Sequence, residues 1–324
     1  MFTTKHIYLF SGLVISTILI FIVSLSIGSV DISIKQLLHA LLDQDDSLAS
    51  SVVLDLRFPR TVVGFMVGAM LALAGALMQV LLRNPLAEPY VLGVSGGASA
   101  AVLIAMLSGL SGFLISGSAF LGAMLSMLLV FGLAHGKGDW SPARLLLTGI
   151  VIAAGWGALI SLILSITQGT QLRGMLFWLM GDLSYAHYTH WALIVLIVCL
   201  VVSMMISRNL NILARGELQA ATLGVSPKRI RYLVYFLSSL LAATAVTLAG
   251  NIGFVGLIVP HAIRLIVGSD HRILLPAAFL LGGCLVMLAD CLARTIIAPQ
   301  QLPVGVLTAI IGIPVFLVLL RRQS

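Results

Sequence analysis

The sequence predicts an all-α polytopic membrane protein of about ten transmembrane helices, folded as one transmembrane domain over residues 1–324. Three observations carry that prediction. The chain is 60% hydrophobic and only 9% charged, where soluble domains run at roughly 45–50% apolar and about 25% charged. Its apolar residues gather into ten segments, most of them long enough to cross a bilayer. Its cations lie between those segments and mostly on one side of the membrane they imply.

The segments run 7–27, 58–82, 91–108, 113–135, 143–167, 191–207, 230–250, 256–267, 274–296 and 305–320. Backbone groups cannot stay unpaired in lipid, so spans this apolar must be helices. A lipid-facing barrel would need alternating polarity in stretches of about ten residues, and none occurs. The first segment follows Lys5, is long for a signal-peptide core and lacks a small-x-small cleavage pattern, so it reads as a retained span. The second carries Gly64, Gly68, Ala72 and Ala76, one small residue every four, which lets helix backbones approach closely. The third repeats the spacing with Gly93 and Gly97. The fifth is thinned by Gly149, Gly155, Gly157, Ser161 and Ser165. Helix packing explains these small residues first; a face lining a path for cargo is the alternative. The eighth segment is short and is expected to break at Pro260. Leu73-Ala74-Gly75 with Pro85, and Leu248-Ala249-Gly250 with Pro260, share an offset of 175 positions, a faint internal repeat of the kind transporters carry. Cys199, Cys284 and Cys291 all sit in apolar stretches, as packing thiols do.

Ten spans put both termini on the same side. With that side cytoplasmic, Lys5, Arg83, Lys137, Arg144, Arg208, Arg215, Lys228, Arg229, Arg231, Arg264, Arg272, Arg321 and Arg322 lie inside; Lys35, Arg57, Arg60, Arg173 and Arg294 lie outside. Thirteen against five is the positive-inside bias that orients membrane proteins. The first outer loop is acidic, with Asp43, Asp45 and Asp46. A net charge of +7 without any basic run longer than two residues does not indicate nucleic-acid binding.

Reactive constellations are missing from the sequence. There is no HExxH and no embedded Ser/His pair, so an intramembrane enzyme is disfavoured. His187 and His190 have no carboxylate partner with which to form a metal site, and His261 reads as a packing or hydrogen-bonding residue. Gly93-Val94-Ser95-Gly96-Gly97 opens a membrane helix rather than a strand–loop–helix phosphate cradle. No GxxxxGK[ST] occurs; Gly136-Lys137 lacks both flanks of that motif. Any ATP and Mg²⁺ would therefore be bound by a separate subunit, and no cofactor is expected in this chain. Ion-coupled carriers place carboxylates near the midplane; here Asp290 lies near the outer end of its span, with Arg294 one turn on as an i,i+4 partner. The longest inner loop, about 208–231, combines five cations with Glu217, a short helical pattern closed by Gly224, and a new turn at Ser226-Pro227. Ordered helices on a cytoplasmic face suggest a docking platform.

Seven ordered stretches resemble one family. They are LRFPRTVVGFMVGAMLALAGALMQ (56–79), RNPLAEPYVLGVSGGA (83–98), GELQAATLG (216–224), GNIGFVGLIVPHAIRL (250–265), DHRILLP (270–276), LADCLAR (288–294) and LPVGVLTAIIGIPVF (302–316). The chain is similar to FecCD-type permease subunits of ATP-binding-cassette importers for iron–siderophore complexes, heme and cobalamin. The resemblance implies a ten-helix, cobalamin-permease-like type II importer fold in the bacterial inner membrane, working as a homodimer within membrane lipid. It implies two ATPase subunits below and a periplasmic binding protein above. Arg57, Arg60 and Arg294 match the family's outer-rim arginines, which engage glutamates of the binding protein. Asn84 and Leu86, with Ser141 and Pro142, match cytoplasmic gate positions; Pro142 departs from the small hydroxyl residue of some cobalamin-type members. Glu217, Ala221 and Gly224 match the ATPase-coupling segment. The expected cargo is a ferric siderophore or heme, with cobalamin the alternative and an ion-coupled carrier a more distant one.

Overall fold

The computed structural model describes residues 4–28, 32–42, 48–135, 141–184 and 189–321. Asp43, Asp45, Asp46, Lys137, His187 and Arg322 lie outside the described residues. The described chain is all-helical. In order, the helices are α1 (Thr4–Ser26), α2 (Ile34–Leu42), α3 (Leu48–Ser51), α4 (Phe58–Leu81), α5 (Val94–Leu107), α6 (Phe113–Ala134), α7 (Pro142–Ile166), α8 (Thr170–Leu179), α9 (His190–Met205), α10 (Ser207–Ala214), α11 (Glu217–Thr222), α12 (Pro227–Ala249), α13 (Val255–Val267), α14 (His271–Thr295) and α15 (Val304–Arg321). Each of the ten apolar segments falls on one of them.

Six of the helices are long and apolar enough to span a membrane unaided. α9 is apolar and meets the short polar helix α10 at a bend of 61°, and α5, α13 and α15 are shorter apolar helices. The second span is longer than its apolar stretch. α3, a π-helical stretch Val52–Arg57 and α4 make one continuous helix, Leu48–Leu81.

α4 is the axis of the fold. It packs against α14, α12 and α13, while α5 pairs with α6, and α1, α7 and α15 lie outside this core. Gly68 and Gly282 face each other so closely that a Cβ on either would strike the other's carbonyl; Gly97 and Gly122 meet in the same way on α5 and α6. For these glycines the packing explanation of the small-residue stripe holds. Gly155 and Gly157 on α7 differ, since a side chain there would meet nothing. α7 is held instead by the close approach of Gly149 to Val91 and Leu92 and by one indole. Trp156 Nε1 donates to Ser126 Oγ at 2.9 Å, and Ser126 Oγ donates to the Gly93 carbonyl at 2.7 Å.

The expected break at Pro260 is corrected. α13 continues through Pro260, and the interruption falls earlier, over residues 250–254, where Phe254 has φ 70°. Proline has no N–H to give the carbonyl four residues back, which is that of Gly256. Gln79 of α4 supplies the substitute: its Nε2 donates to the Gly256 and Leu257 carbonyls at 3.4 Å each. Arg264 in turn donates to Gln79 Oε1 at 2.8 Å. The repair works because a Cβ on Gly75 would collide with the Gly256 backbone; only glycine lets α4 come this near.

Candidate functional sites at the two ends of the bundle

At the end expected to face outward, Arg57, Arg60 and Arg294 come together, but not as an exposed rim. They are 5%, 9% and 6% exposed. This corrects the expectation of free guanidinium groups, and the reason is the hydrogen-bonding demand of a guanidinium away from water. Arg57, the last residue of the π-helical stretch, turns back over the end of α1 and donates Nη1 to the carbonyls of Leu25 and Ser26, both at 2.8 Å. Those carbonyls lack intrahelical donors and carry the negative end of the helix dipole. Arg60 sets Nε and Nη2 on Asp290 Oδ1, each at 2.8 Å, and donates Nη1 to Gln301 Oε1 at 2.8 Å. Arg294 pairs with Asp290 Oδ2 at 3.1 Å and donates Nη2 to Ser24 Oγ at 2.8 Å. Asp290, 1% exposed, thus holds two arginines. The i,i+4 pair with Arg294 is the one read from sequence; the partnership with Arg60 spans 230 positions and had no local signal.

At the opposite end, the segment expected to couple to an ATPase is ordered, with α11 over Glu217–Thr222. α11 stops in a complete Schellman turn. Gly224, at φ 77°, donates its N–H to the Ala221 carbonyl at 3.1 Å, and Val225 donates to Ala220 at 3.0 Å. Glycine suits this left-handed position. Ala220 is buried beneath the helix, whereas Ala221 and Gly224 face outward and Leu218 and Leu223 are 81% and 65% exposed. α10, which the sequence left as linker, is a helix whose Asn211 ties it to the start of α14: Nδ2 donates to Asp270 Oδ1 at 2.7 Å, and His271 N–H donates to Asn211 Oδ1 at 2.9 Å. Burial raises the Asp270 pKa, but the hydrogen bonds from Asn211 and the Arg272 backbone N–H, with the nearby cations, outweigh it and leave the carboxyl below its ordinary value.

The expected gate residues converge on the same end. Asn84 follows α4 and accepts the Leu86 N–H on Oδ1 at 2.9 Å, an Asx turn that leaves Leu86 42% exposed. Ser141 caps α7 by accepting the Arg144 N–H at 3.2 Å, with Pro142 as its first helical residue. Leu81, Ser141, Pro142, Leu145 and Arg231 surround a shallow cleft. Two residues absent from the expected site join these parts: Arg83 and Arg231 both contact Glu217 Oε1, at 2.7 and 2.8 Å. Between the two ends, Glu88 accepts the Phe254 N–H at 2.6 Å and so ties the 84–93 loop to the start of α13.

Among the described residues no cluster of three or more His, Cys, Asp or Glu side chains could hold a metal ion. The three cysteines are buried and free.

The FecCD transport family matches residues 16–322. The cobalamin import system permease protein of Halobacterium salinarum is 42% identical over 85% of this chain and 75% of its own length. The hemin transport system permease protein of Yersinia pestis is 38% identical over 96% of each chain. A solved inward-facing metal-chelate type ABC transporter superposes with a TM-score of 0.86, at 33% identity, over 97% of this chain and 99% of that one.

Proposed function

This chain belongs to the FecCD transport family as a multi-pass ATP-binding-cassette permease, and from that premise we propose that it carries a metal chelate across the bacterial inner membrane into the cytoplasm. The observation that carries the cargo class is the chain-long likeness to a metal-chelate type transporter. Within that class the permease relatives divide between hemin and cobalamin, so ferric and cobalt chelates stand level here.

In this reading two copies enclose one path, and the open small-residue face of α7, with Gly155, Gly157, Ser161 and Ser165, is a wall of it. α11 faces an ATPase subunit with Leu218, Ala221, Leu223 and Gly224. Both termini lie on that cytoplasmic side. ATP and Mg²⁺ belong to the ATPase partner. A periplasmic binding protein docks on the outer end, where Arg57, Arg60 and Arg294 fix the shape of the landing surface by pinning α1 and α14 rather than by reaching outward.

The test is reconstitution in proteoliposomes with the ATPase and binding protein, offered hemin, cyanocobalamin and a ferric hydroxamate chelate as separate probes. ATP-dependent uptake of one probe is expected, together with no ATP hydrolysis by the permease alone. Uptake driven by an ion gradient without the ATPase, or hydrolysis by the purified chain itself, overturns the assignment.

A further inference from the structure

We propose that Glu217 is a clasp by which the platform helix α11 grips the gate loop after α4, through Arg83, and the start of α12, through Arg231. The proposal rests on the reading that α11 faces an ATPase subunit, and adds to it which side chains pass on the movement.

A single carboxylate oxygen, Glu217 Oε1, receives Arg83 Nη2 at 2.7 Å and Arg231 Nη1 at 2.8 Å. The two cations come from different elements, Arg83 from the loop after α4 and Arg231 from α12, beside the start of α7. Arg83 is followed directly by Asn84 and the Leu86 turn. Arg231, in the first turns of α12 and 5% exposed, lines the cleft formed with Leu81, Ser141, Pro142 and Leu145. Glu217 is thus the point where the loop after α4, the start of α12 and the platform meet, although Arg83 lies far from the other two in sequence.

The backbone at Arg83 adds a second, independent observation. Its φ is 49°, and Arg83 and Phe254 are the non-glycine residues with positive φ among those described. A side chain in the left-handed region is uncommon and persists where its surroundings hold it. Glu217 supplies such a hold from outside the loop. The contact is not a stability device: Arg83 and Glu217 are 39% and 36% exposed, and ion pairs that open to water add little to folding. Its consequence is positional. While the pair is closed, the loop carrying Asn84 and Leu86 cannot move independently of α11; a displacement of α11 by the ATPase either draws that loop along or releases it.

The test needs no knowledge of the cargo. In the permease–ATPase complex, with Cys199, Cys284 and Cys291 replaced by Ala, Leu86→Cys reports the gate loop through its rate of labelling by an uncharged maleimide. Several-fold change in that rate on adding ATP and vanadate is expected with Arg83 present. Arg83→Glu sets two carboxylates against each other and should reduce the change to within twofold while the complex still assembles. Arg83→Lys should retain part of it. A merely structural role for Arg83 would lower protein yield without separating these variants. An assembled Arg83→Glu complex whose labelling responds to nucleotide as fully as the parent overturns the clasp alone. Failure of the parent chain to assemble with any ATPase overturns the functional reading and the clasp with it.

Discussion

Removing the carboxylate of Asp290 should unfold the outer end of the bundle. Asp290→Ala deletes the shared partner of Arg60, which meets it through Nε and Nη2 at 2.8 Å, and of Arg294 at 3.1 Å. With Asp290 1% exposed, water cannot fill in for the lost acceptor. Breaking a buried ion pair by removing one partner costs roughly 3–5 kcal/mol. Arg60 keeps Gln301 and Arg294 keeps Ser24, so the loss belongs near the lower bound, about 3 kcal/mol. At about 2.1 cal/mol/K of unfolding entropy per residue, a chain of 324 residues shifts by about 1.5 °C per kcal/mol, so the midpoint should fall by about 4–5 °C. Asp290→Asn keeps one carbonyl acceptor and should lose about half as much. The assay is thermal unfolding of the detergent-solubilised protein followed by tryptophan fluorescence, at low and high salt. Buried pairs are weakly screened, so the loss should persist at high salt. A drop below about 2 °C, or one that vanishes with salt, would refute the buried network as the anchor of this end.

Gln79→Leu should remove the donor that serves the Gly256 and Leu257 carbonyls and the acceptor of Arg264, costing about 1–3 kcal/mol in the same assay; an unchanged midpoint would mean that α13 needs no repair beside Pro260. Gly68→Val should abolish properly folded yield, read as the monodisperse fraction in size-exclusion chromatography, because the added side chain meets the Gly282 backbone; a normal profile would disprove the close approach of α4 and α14. Gly224→Pro deletes an N–H donor and cannot adopt φ 77°, so it should abolish co-purification with the ATPase while membrane insertion stays intact. Normal assembly would remove α11 from that interface.

The spans were legible because lipid imposes one solution on a long apolar run, and every apolar segment lies on a helix. The short polar helices were not. α2 and α10 pack one apolar face against the bundle, with Leu37 and Ala40 buried in the first and Leu210 and Leu213 in the second, and eight or nine residues give too little periodicity to separate helix from linker. Pro260 was misread for a related reason: whether a proline breaks a helix depends on a substitute donor, and that donor, Gln79, lies 177 positions from the carbonyl it serves. The outer arginines illustrate the same limit. Charge counting placed Arg57, Arg60 and Arg294 at one end of the bundle, but the direction of a guanidinium is set by Leu25, Ser24 and Gln301, which charge counting ignores. In the coupling segment, by contrast, Gly224 could be read correctly because a Schellman turn is written in adjacent residues.

The unbroken helix Leu48–Leu81 has 34 residues, about 51 Å at 1.5 Å per residue, against a hydrocarbon core of about 30 Å. It exceeds that core by about 20 Å. Arg57 and Arg60, nine and twelve residues from Leu48, tie it to α1 and α14, and Arg83 sits two residues beyond Leu81. A hydrogen-bonded helix does not shorten, so the distance from the residues that meet α1 and Asp290 to the loop beside Glu217 is set by the residue count between Arg60 and Arg83. Only the π-helical stretch Val52–Arg57, whose wider turn is the least regular part of the helix, can take up slack, and it lies outboard of nearly everything the helix is packed against.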